Sequence, residues 1–535
     1  MAERGQSSAG GRREPRDSRR SGDRPGGARA NRSRAKGDRA SGGPTSSGRS
    51  TQSGEPGGGR SGGGRPGLSR AGRGADPARL AAYELLRAVD VQEAYANLIW
   101  PRILDSHRLH GRDAGFATEL GYGTLRWRGR HDAILAACCD RPLASVQPEL
   151  VDVLRLGIHQ LHEMRVSEHA AVDQTVELAR AVVHPGAASF ANAVLRRVVR
   201  GGSADSWLGE LEGAGTVPAV ESDPAGHLTV ATSHPAWIVR AVHEALASSV
   251  PTRTWSDTRA ALLADNVAAR VTLVARRIER TELLTRLTEA GIEAVPGRLS
   301  RLAVRVTATV PSGLPEVATG AAGVQDEGSQ VVALALADAA LDGRDERWLD
   351  LCAGPGGKAA VLAAAVAQRG GRLTAVELHP HRAELVRQSL RPIQGRHEVI
   401  AADATRDDLG SDYDRVLVDA PCTGLGALRR RPESRWRRTP GDLAELTVLQ
   451  RRLLARALEV VRPGGWVMYA TCSPHLAETE AIVGDAPRLG GRVIPVAEVD
   501  GLALPAGSVA GDHLRLWPLV HDSDGMFAAL IRRND

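Results

Sequence analysis

The stretch Trp348-Leu-Asp-Leu-Cys-Ala-Gly-Pro-Gly-Gly-Lys358 leaves this chain few folds to choose from. A short apolar run, Trp348 to Leu351, meets a glycine-rich bend, and alanine-rich helical sequence follows from Lys358. That order is a strand, a tight turn and a helix, the opening unit of a doubly wound α/β domain whose ligands sit at the carboxyl ends of the strands. Gly354, Gly356 and Gly357 permit positive φ and let backbone N–H groups come close to a ligand. Two other glycine loops are excluded. A P-loop needs Gly six residues before the Lys and Ser or Thr after it, and this chain has Cys352 and Ala359. The dinucleotide fingerprint fails as well, because Lys358 and Ala359 follow Gly357 directly.

Beyond the turn, strand and helix signals alternate. Strands are expected at 347–351, 372–377, 397–401, 414–419 and 465–471, and helices at 357–368, 380–390 and 442–460. Short alternating elements imply a parallel sheet with right-handed crossovers. Gly525 to Arg532 adds a late strand, expected as an antiparallel edge. Ahead of this domain, residues 76 to about 200 carry apolar residues at helical spacing over Pro77–Val89, Val151–Met164, Ala170–Val183 and Ser189–Val199, with Asp76 as an N-cap. They predict an all-α domain of five to seven helices. Residues 201–225 are rich in Gly, Ser, Asp and Glu and read as a linker. Ser233-His-Pro-Ala-Trp237 opens a helix. Strand-like Arg270–Ala275 and Leu302–Val310 flank an amphipathic helix, Thr281–Ala290, and suggest a small α+β module that grips the substrate. The expected boundaries are therefore a tail to residue 75, a helical domain over 76–204, linker and module over 205–322, and a catalytic domain over 323–535.

Charge separates the tail from the body. The first 75 residues hold 17 Lys and Arg against 6 Asp and Glu, and the remainder holds 52 against 57. The tail is Gly, Ser, Arg and Pro with almost no large apolar residue, so it cannot bury enough surface to order itself. It is either a solvated arm or a salt-sensitive contact for RNA phosphates. No apolar leader and no uncharged run long enough to cross a membrane occurs, and five cysteines make no disulfide framework, so a cytoplasmic setting is expected. Cys138 and Cys139 read as buried small side chains. Only two lysines stand in the whole chain, Lys36 and Lys358. A sequence that otherwise writes Arg keeps a compact ammonium at the end of the glycine loop.

Three carboxylates end successive strands. Glu377 lies about 20 residues past the glycine loop, where an acid accepts both ribose hydroxyls. Asp403 is placed to border an adenine ring, and Asp419 leads into Ala-Pro-Cys422. One such acid could be a helix cap; three in register resemble S-adenosylmethionine-dependent methyltransferases. Cys422, in Asp419-Ala-Pro-Cys-Thr-Gly424, and Cys472, in Tyr469-Ala-Thr-Cys-Ser-Pro474, both follow buried-looking strands and should face the ligand crevice. Zinc is not expected, since only His475 is near in sequence and no Cys-x-x-Cys pair exists. Paired thiols suit pyrimidine chemistry. A thiolate adding to carbon 6 of cytosine makes carbon 5 nucleophilic, an acid at the N3 edge stabilises the adduct, and a base must then remove the C5 proton.

Asp350-Leu-Cys-Ala-Gly-Pro-Gly-Gly-Lys358, Asp419-Ala-Pro-Cys-Thr-Gly-Leu-Gly426, Arg429-Arg-Arg-Pro-Glu-Ser-Arg-Trp436, Thr471-Cys-Ser473 and Val324-Gln-Asp-Glu-Gly-Ser-Gln330 resemble the motif set of RNA 5-methylcytosine methyltransferases. Gly111-Arg-Asp-Ala-Gly-Phe-Ala-Thr-Glu-Leu-Gly-Tyr-Gly-Thr-Leu-Arg126 and Phe190-Ala-Asn-Ala-Val-Leu-Arg-Arg197 resemble the NusB-like RNA-binding domain. Together they make residues 76–535 similar to the RsmB (Sun, Fmu) family, which methylates a cytosine of small-subunit ribosomal RNA. The resemblance implies that Cys472 adds to carbon 6 and Cys422 assists release. It further implies that Cys352, Ala353, Gly354, Pro355, Gly356, Gly357 and Lys358 cradle the methionine part of S-adenosylmethionine. Glu377 would bind ribose, Asp403 and Asp419 would border adenine and the reacting groups, and Lys358 would orient Asp419 or the base. The arginine-rich loop Arg429–Arg438 is expected at the crevice mouth, with Arg429, Arg430, Arg435 and Trp436 touching RNA. Gly354 for Ala, Glu377 for Asp, Ala269-Arg270 for Pro-Pro and Thr479 for Asn depart from the family pattern without touching the thiols. The reading is a monomeric, metal-free RNA cytosine-C5 methyltransferase acting on ribosomal RNA. Transfer RNA as substrate, or a non-catalytic RNA-binding assembly factor, are the alternatives.

Overall fold

A computed structural model describes residues 74–249, 252–307 and 313–535; the basic tail up to residue 73 and the end of the strand expected over Leu302–Val310 lie outside them. Seven α-helices build the first domain: Pro77–Val91, Ala96–His107, Gly111–Arg126, Arg128–Cys138, Pro148–His162, Glu168–Val182 and Pro185–Arg200. Asp76 caps the first, accepting from Arg79 N at 3.1 Å. Pro148–His162 is buried at every position from Leu150 to Gln160. A helix buried on all sides is the axis of a bundle. Its polar residues are paired accordingly: Asp152 accepts from Arg87 at 2.9 Å, and Arg155 grips Asp132 at 2.7 and 2.9 Å.

The linker expected over 201–225 contains a helix instead, Ala204–Gly213. Trp207 and Leu211, one turn apart, join the core of the helical domain, and the Trp207 indole donates to Val198 O at 2.9 Å. Two apolar anchors at helical spacing outweigh a loop-like composition, because packing decides where propensity is weak. Helices Pro224–Ala231, Ala236–Ser249 and Trp255–Ala264 follow. Ile238, Val239 and Leu262 from these share a small core with Leu425 and Leu428 of the last domain.

The α+β module is a four-stranded antiparallel sheet: β1 Thr272–Ala275, β2 Ala294–Pro296, β3 Ala303–Val306 and β4 Ala322–Val324, ordered β2-β3-β1-β4. Helix Arg280–Glu289 covers it through Leu283 and Leu287. Two of its strands, β2 and β4, are three residues long, too short for an alternation signal to mark them in the sequence. β4 also carries the module two residues past 322, since Val324 pairs with Leu273.

The catalytic sheet contains β5 Arg347–Asp350, β6 Arg372–Glu377, β7 Arg396–Ala401, β8 Tyr413–Asp419, β9 Val461–Thr471, β10 Gly491–Ile494, β11 Val509–Ala510, β12 His513–Leu516 and β13 Met526–Arg533. Its order is β11-β12-β13-β9-β8-β5-β6-β7, with β10 also on β13. β7, β6, β5, β8 and β9 are parallel. Chain order runs outward from β5 on one side and from β8 on the other, so the topological switch point lies between them. Helices Glu327–Asp338 and Gly357–Ala367 pack on one face and Pro440–Val460 on the other. β13 is antiparallel as expected but is not an edge: β9 flanks it on one side and β12 and β10 on the other. Residues Met526–Ile531 are buried on both faces, and such a strand left at an edge would expose unpaired backbone beside apolar side chains. Because Trp207 is a core anchor, Trp207→Ala should cost about 3–5 kcal/mol of stability. Denaturant titration would read this as a lowered midpoint, where a true linker would tolerate the change.

Candidate active site

All the acids singled out from the sequence reach one rim. Glu377 and Asp419 end β6 and β8, Asp403 stands two residues past β7, and Cys472 directly follows β9. The glycine turn 352–357 occupies the switch point between β5 and β8. It is bound to its neighbours through the backbone: Ala353 N donates to Val376 O at 2.9 Å and Gly356 N to Ala353 O at 2.7 Å. Gly356 has φ of +108°, which only glycine adopts without strain. A Cβ on Gly354 would lie 2.1 Å from Glu377 Oε2, so the turn passes directly against that carboxylate. Glu377 is buried, accepts from His379 N at 3.0 Å and stands 3.5 Å from Arg382, which itself donates to Gly354 O at 2.9 Å. Asp403 is tied locally, accepting from Thr405 Oγ1 and N at 2.7 and 2.9 Å. Those two bonds hold its carboxyl below the usual carboxylate range.

Lys358, on the first turn of the following helix, donates to Asp419 Oδ2 at 2.8 Å. Burial works against its charge, but the Asp419 carboxylate outweighs that and raises its pKa. The two thiols converge, Cys422 Sγ to Cys472 Sγ at 3.4 Å. The hydrogen bond with Cys422, assisted by the Lys358 charge, draws Cys472 below the ordinary thiol value. The same bond, then burial and the Glu478 charge, push Cys422 well above it. The pair is thus uneven, with Cys472 the more acidic thiol of the two. Burial pushes the third thiol, Cys352, far up.

The sequence reading missed three groups. Asp350 is fully buried at the end of β5, its Oδ1 accepting from Cys352 N at 3.2 Å while Oδ2 has no partner. Burial and the Asp419 charge push it up to about 7. Glu478 and Gln450 lie beneath the Pro-Cys turn. Glu478 accepts from Thr423 N at 2.8 Å and from Gln450 Nε2 at 3.1 Å. An aspartate ending a strand is an ordinary sight in a sequence, and the distance along the chain from Cys422 to Gln450 and Glu478 gives no hint that they meet. Among the described residues no group of His, Cys, Asp and Glu is arranged to hold a metal ion, and no helix is long and apolar enough to cross a membrane.

Comparison with known proteins places this geometry. Residues 339–532 match the family model for 16S rRNA methyltransferase RsmB/F, and residues 76–200 match the NusB family. The chain is 48% identical over 467 residues to Rv1407 of Mycobacterium tuberculosis, covering 86% of this chain and 97% of that one. It is 34% identical over 441 residues to the ribosomal RNA small subunit methyltransferase B of Pseudomonas putida, covering 80% of this chain and 93% of that one. The chain belongs to the RsmB/F family. The solved structure of PH0851 shares its fold, with a TM-score of 0.68 at 20% identity over 86% of this chain and 99% of that one.

In this RsmB/F protein the arginine-rich loop is mostly a joint between domains rather than an RNA surface. Arg435 is fully buried and donates to Arg126 O at 2.9 Å, Ser233 O at 3.2 Å and Asn266 Oδ1 at 2.7 Å. Arg429 is buried on Asp522 at 2.8 Å, and the Trp436 ring lies where a Cβ on Gly129 would be 2.5 Å away. Of the four expected contacts Arg430 reaches solvent, its side chain 44% exposed and paired with Asp524, and Trp436 is half-buried. Arginine at helix-to-carbonyl joints writes the same sequence as arginine facing phosphate, because both exploit its planar set of donors. Arg435→Ala would strand several carbonyls and should cost about 3 kcal/mol. Arg438→Ala, whose partner Asp442 is 3.7 Å away, should cost no more than about 1 kcal/mol. Thermal unfolding of both variants checks the contrast.

Two further outcomes follow from the titrations. Asp350 is raised from 3.8 to about 7, so it favours the folded state below its unfolded value and loses that contribution as pH rises toward 7. The unfolding midpoint of Asp350→Asn should therefore gain on the wild type between pH 5 and 8. In alkylation followed by mass spectrometry, Cys472 should react at lower pH than Cys422. Cys422→Ala should shift the Cys472 profile upward by removing the hydrogen bond that lowers it.

Proposed function

We propose that this chain transfers a methyl group from S-adenosylmethionine to carbon 5 of a cytosine in small-subunit ribosomal RNA. The observation that carries the reading is the thiol pair at 3.4 Å, with the Lys358–Asp419 ion pair on the same rim. The ribosomal target is supported by the relatives named for small-subunit ribosomal RNA and by the NusB match over 76–200. The turn fits the cofactor chemically. It offers backbone without side chains, the buried Glu377 carboxylate, and two buried oxygens that lack partners, Asp350 Oδ2 and Gln325 Oε1. Cys352 to Lys358 would hold the methionine part, Glu377 the ribose, and Asp403 and Asp419 the adenine edge and reacting groups. When bound, the cofactor supplies an electrophilic methyl group.

The protein's own groups do the rest. Cys472, as thiolate, adds to carbon 6, and its bonding pair displaces the C5–C6 π electrons onto the ring. Asp419, oriented by Lys358, serves the N3 edge. Once Cys472 is a thioether it no longer holds the Cys422 proton in place, and that proton passes to solvent. After carbon 5 carries its methyl, Cys422 takes the C5 proton, the C–H pair restores the C5–C6 double bond, and Cys472 leaves as thiolate. The cycle closes with one thiol and one thiolate, as it began, and with one proton released. Arg430, which with Arg431 forms the exposed part of the arginine-rich loop, is assigned to the RNA backbone.

The test is Cys422→Ala, incubated with total RNA and S-adenosylmethionine and run on a denaturing gel. A covalent RNA–protein adduct should accumulate and disappear in the Cys422→Ala/Cys472→Ala double variant, and sequencing the trapped RNA identifies the target. No adduct together with no methyl transfer by the wild type overturns the reading. An adduct that persists without Cys472 reverses the roles of the thiols.

A further inference from the structure

Six residues past the nucleophile, Glu478 is a fully buried carboxylate. Burying a charge is costly unless hydrogen bonds offset it, so where its bonds go is informative. They all go to the turn that carries Cys422 or to the residue behind that turn. Oε1 accepts from Thr423 N at 2.8 Å and from Gln450 Nε2 at 3.1 Å, and Oε2 accepts from the Thr423 hydroxyl. Gln450 Nε2, from helix Pro440–Val460, also donates to Pro421 O at 2.8 Å, so the residues on both sides of Cys422 are held. Glu478 is itself anchored from β9, where the Tyr469 hydroxyl donates to its carbonyl at 2.9 Å. Thr423 Oγ1 and Ser473 Oγ lie 3.3 Å apart and complete the bridge between the two cysteine loops.

We propose that Glu478 is a positioning residue for the release step: it clamps the Pro-Cys turn, directly at Thr423 and through Gln450 at Pro421, so that the Cys422 thiol stays within reach of Cys472 and of the adduct formed there. The inference rests on the division of roles proposed above. A buried carboxylate used only for packing would have no reason to spend all its bonds on one turn, since an apolar side chain fills a core at lower cost. Behind the Cys472 hydrogen bond and burial, the Glu478 charge also adds to the upward push on the Cys422 thiol.

The experiment is Glu478→Gln in the full chain, with single-turnover methyl transfer, multiple-turnover rate and gel-resolved adduct measured on the same RNA. The multiple-turnover rate should fall at least tenfold, the single-turnover rate should fall less, and adduct should build up as in Cys422→Ala. In the Cys422→Ala background Glu478→Gln should add under twofold, because it acts through the thiol already removed. Equal losses in both rates without adduct, a full additional loss in that background, or wild-type behaviour would each overturn the proposal. Thr423→Val removes only the hydroxyl and should shift the same readouts in the same direction if Glu478→Gln does not fold. A wild type that makes no 5-methylcytosine, with no adduct in Cys422→Ala, brings down the functional reading and this inference together. Methylation and a Cys422→Ala adduct with no Glu478 effect bring down the inference alone.

Discussion

Three loops share one short run of backbone hydrogen bonds, and the thiol pair depends on it. Gly426 N donates to Cys472 O at 2.8 Å, and Gly525 N donates to Gly426 O at 2.7 Å. A Cβ on Gly426 would fall 2.0 Å from Gly525 O, so the loops are in direct backbone contact with no room for a side chain. The Cys422 turn is therefore stitched to the loop after β9 on one side and to the approach of β13 on the other. That is why β13 belongs inside the sheet. As an edge strand it would leave Gly525 free to move, and the 3.4 Å approach of the thiols would have nothing behind it.

The same turn also couples the catalytic domain to the helical one. Downstream of Gly426, Arg435 spends its donors on carbonyls of the helical domain and of the helices that follow it. Arg437 reaches Val89 O at 2.6 Å and Ala94 O at 2.7 Å, and Glu433 accepts from Ala96 N at 3.2 Å. Burial lowers the Arg435 pKa to about 9, a measure of how dry this joint is. A charge held there by carbonyls tolerates little displacement, so the helical domain and the cysteine turn take a fixed mutual position.

Much of the site was legible in the sequence. Glycines that admit a close backbone, acids at strand ends and cysteines after apolar runs are local facts, and the periodicity of the chain placed each on its element. The helices from Pro77 to Arg200 and the parallel order around β5 follow from the same periodicity. What escaped was either too short or too polar to signal. β2 and β4 are three residues each, and the Ala204–Gly213 helix hid Trp207 in a loop-like composition. The arginine-rich loop was misjudged for the opposite reason: its composition was eloquent but mute about direction.

By itself, then, the sequence determined the kinds of chemistry available and the strands that carry them, because side-chain type and the two-residue and 3.6-residue periods are local properties. The tertiary structure alone decided which groups meet: that the two thiols pair, which arginines turn inward, and that Asp350 and Glu478 lie against the loops carrying the candidate site. Those are set by burial and by pairings between residues far apart in sequence, such as Glu478 with Thr423 and Lys358 with Asp419. A carboxylate reads the same in sequence whether water or a buried turn will surround it, and its charge, its partners and its role follow from that surrounding.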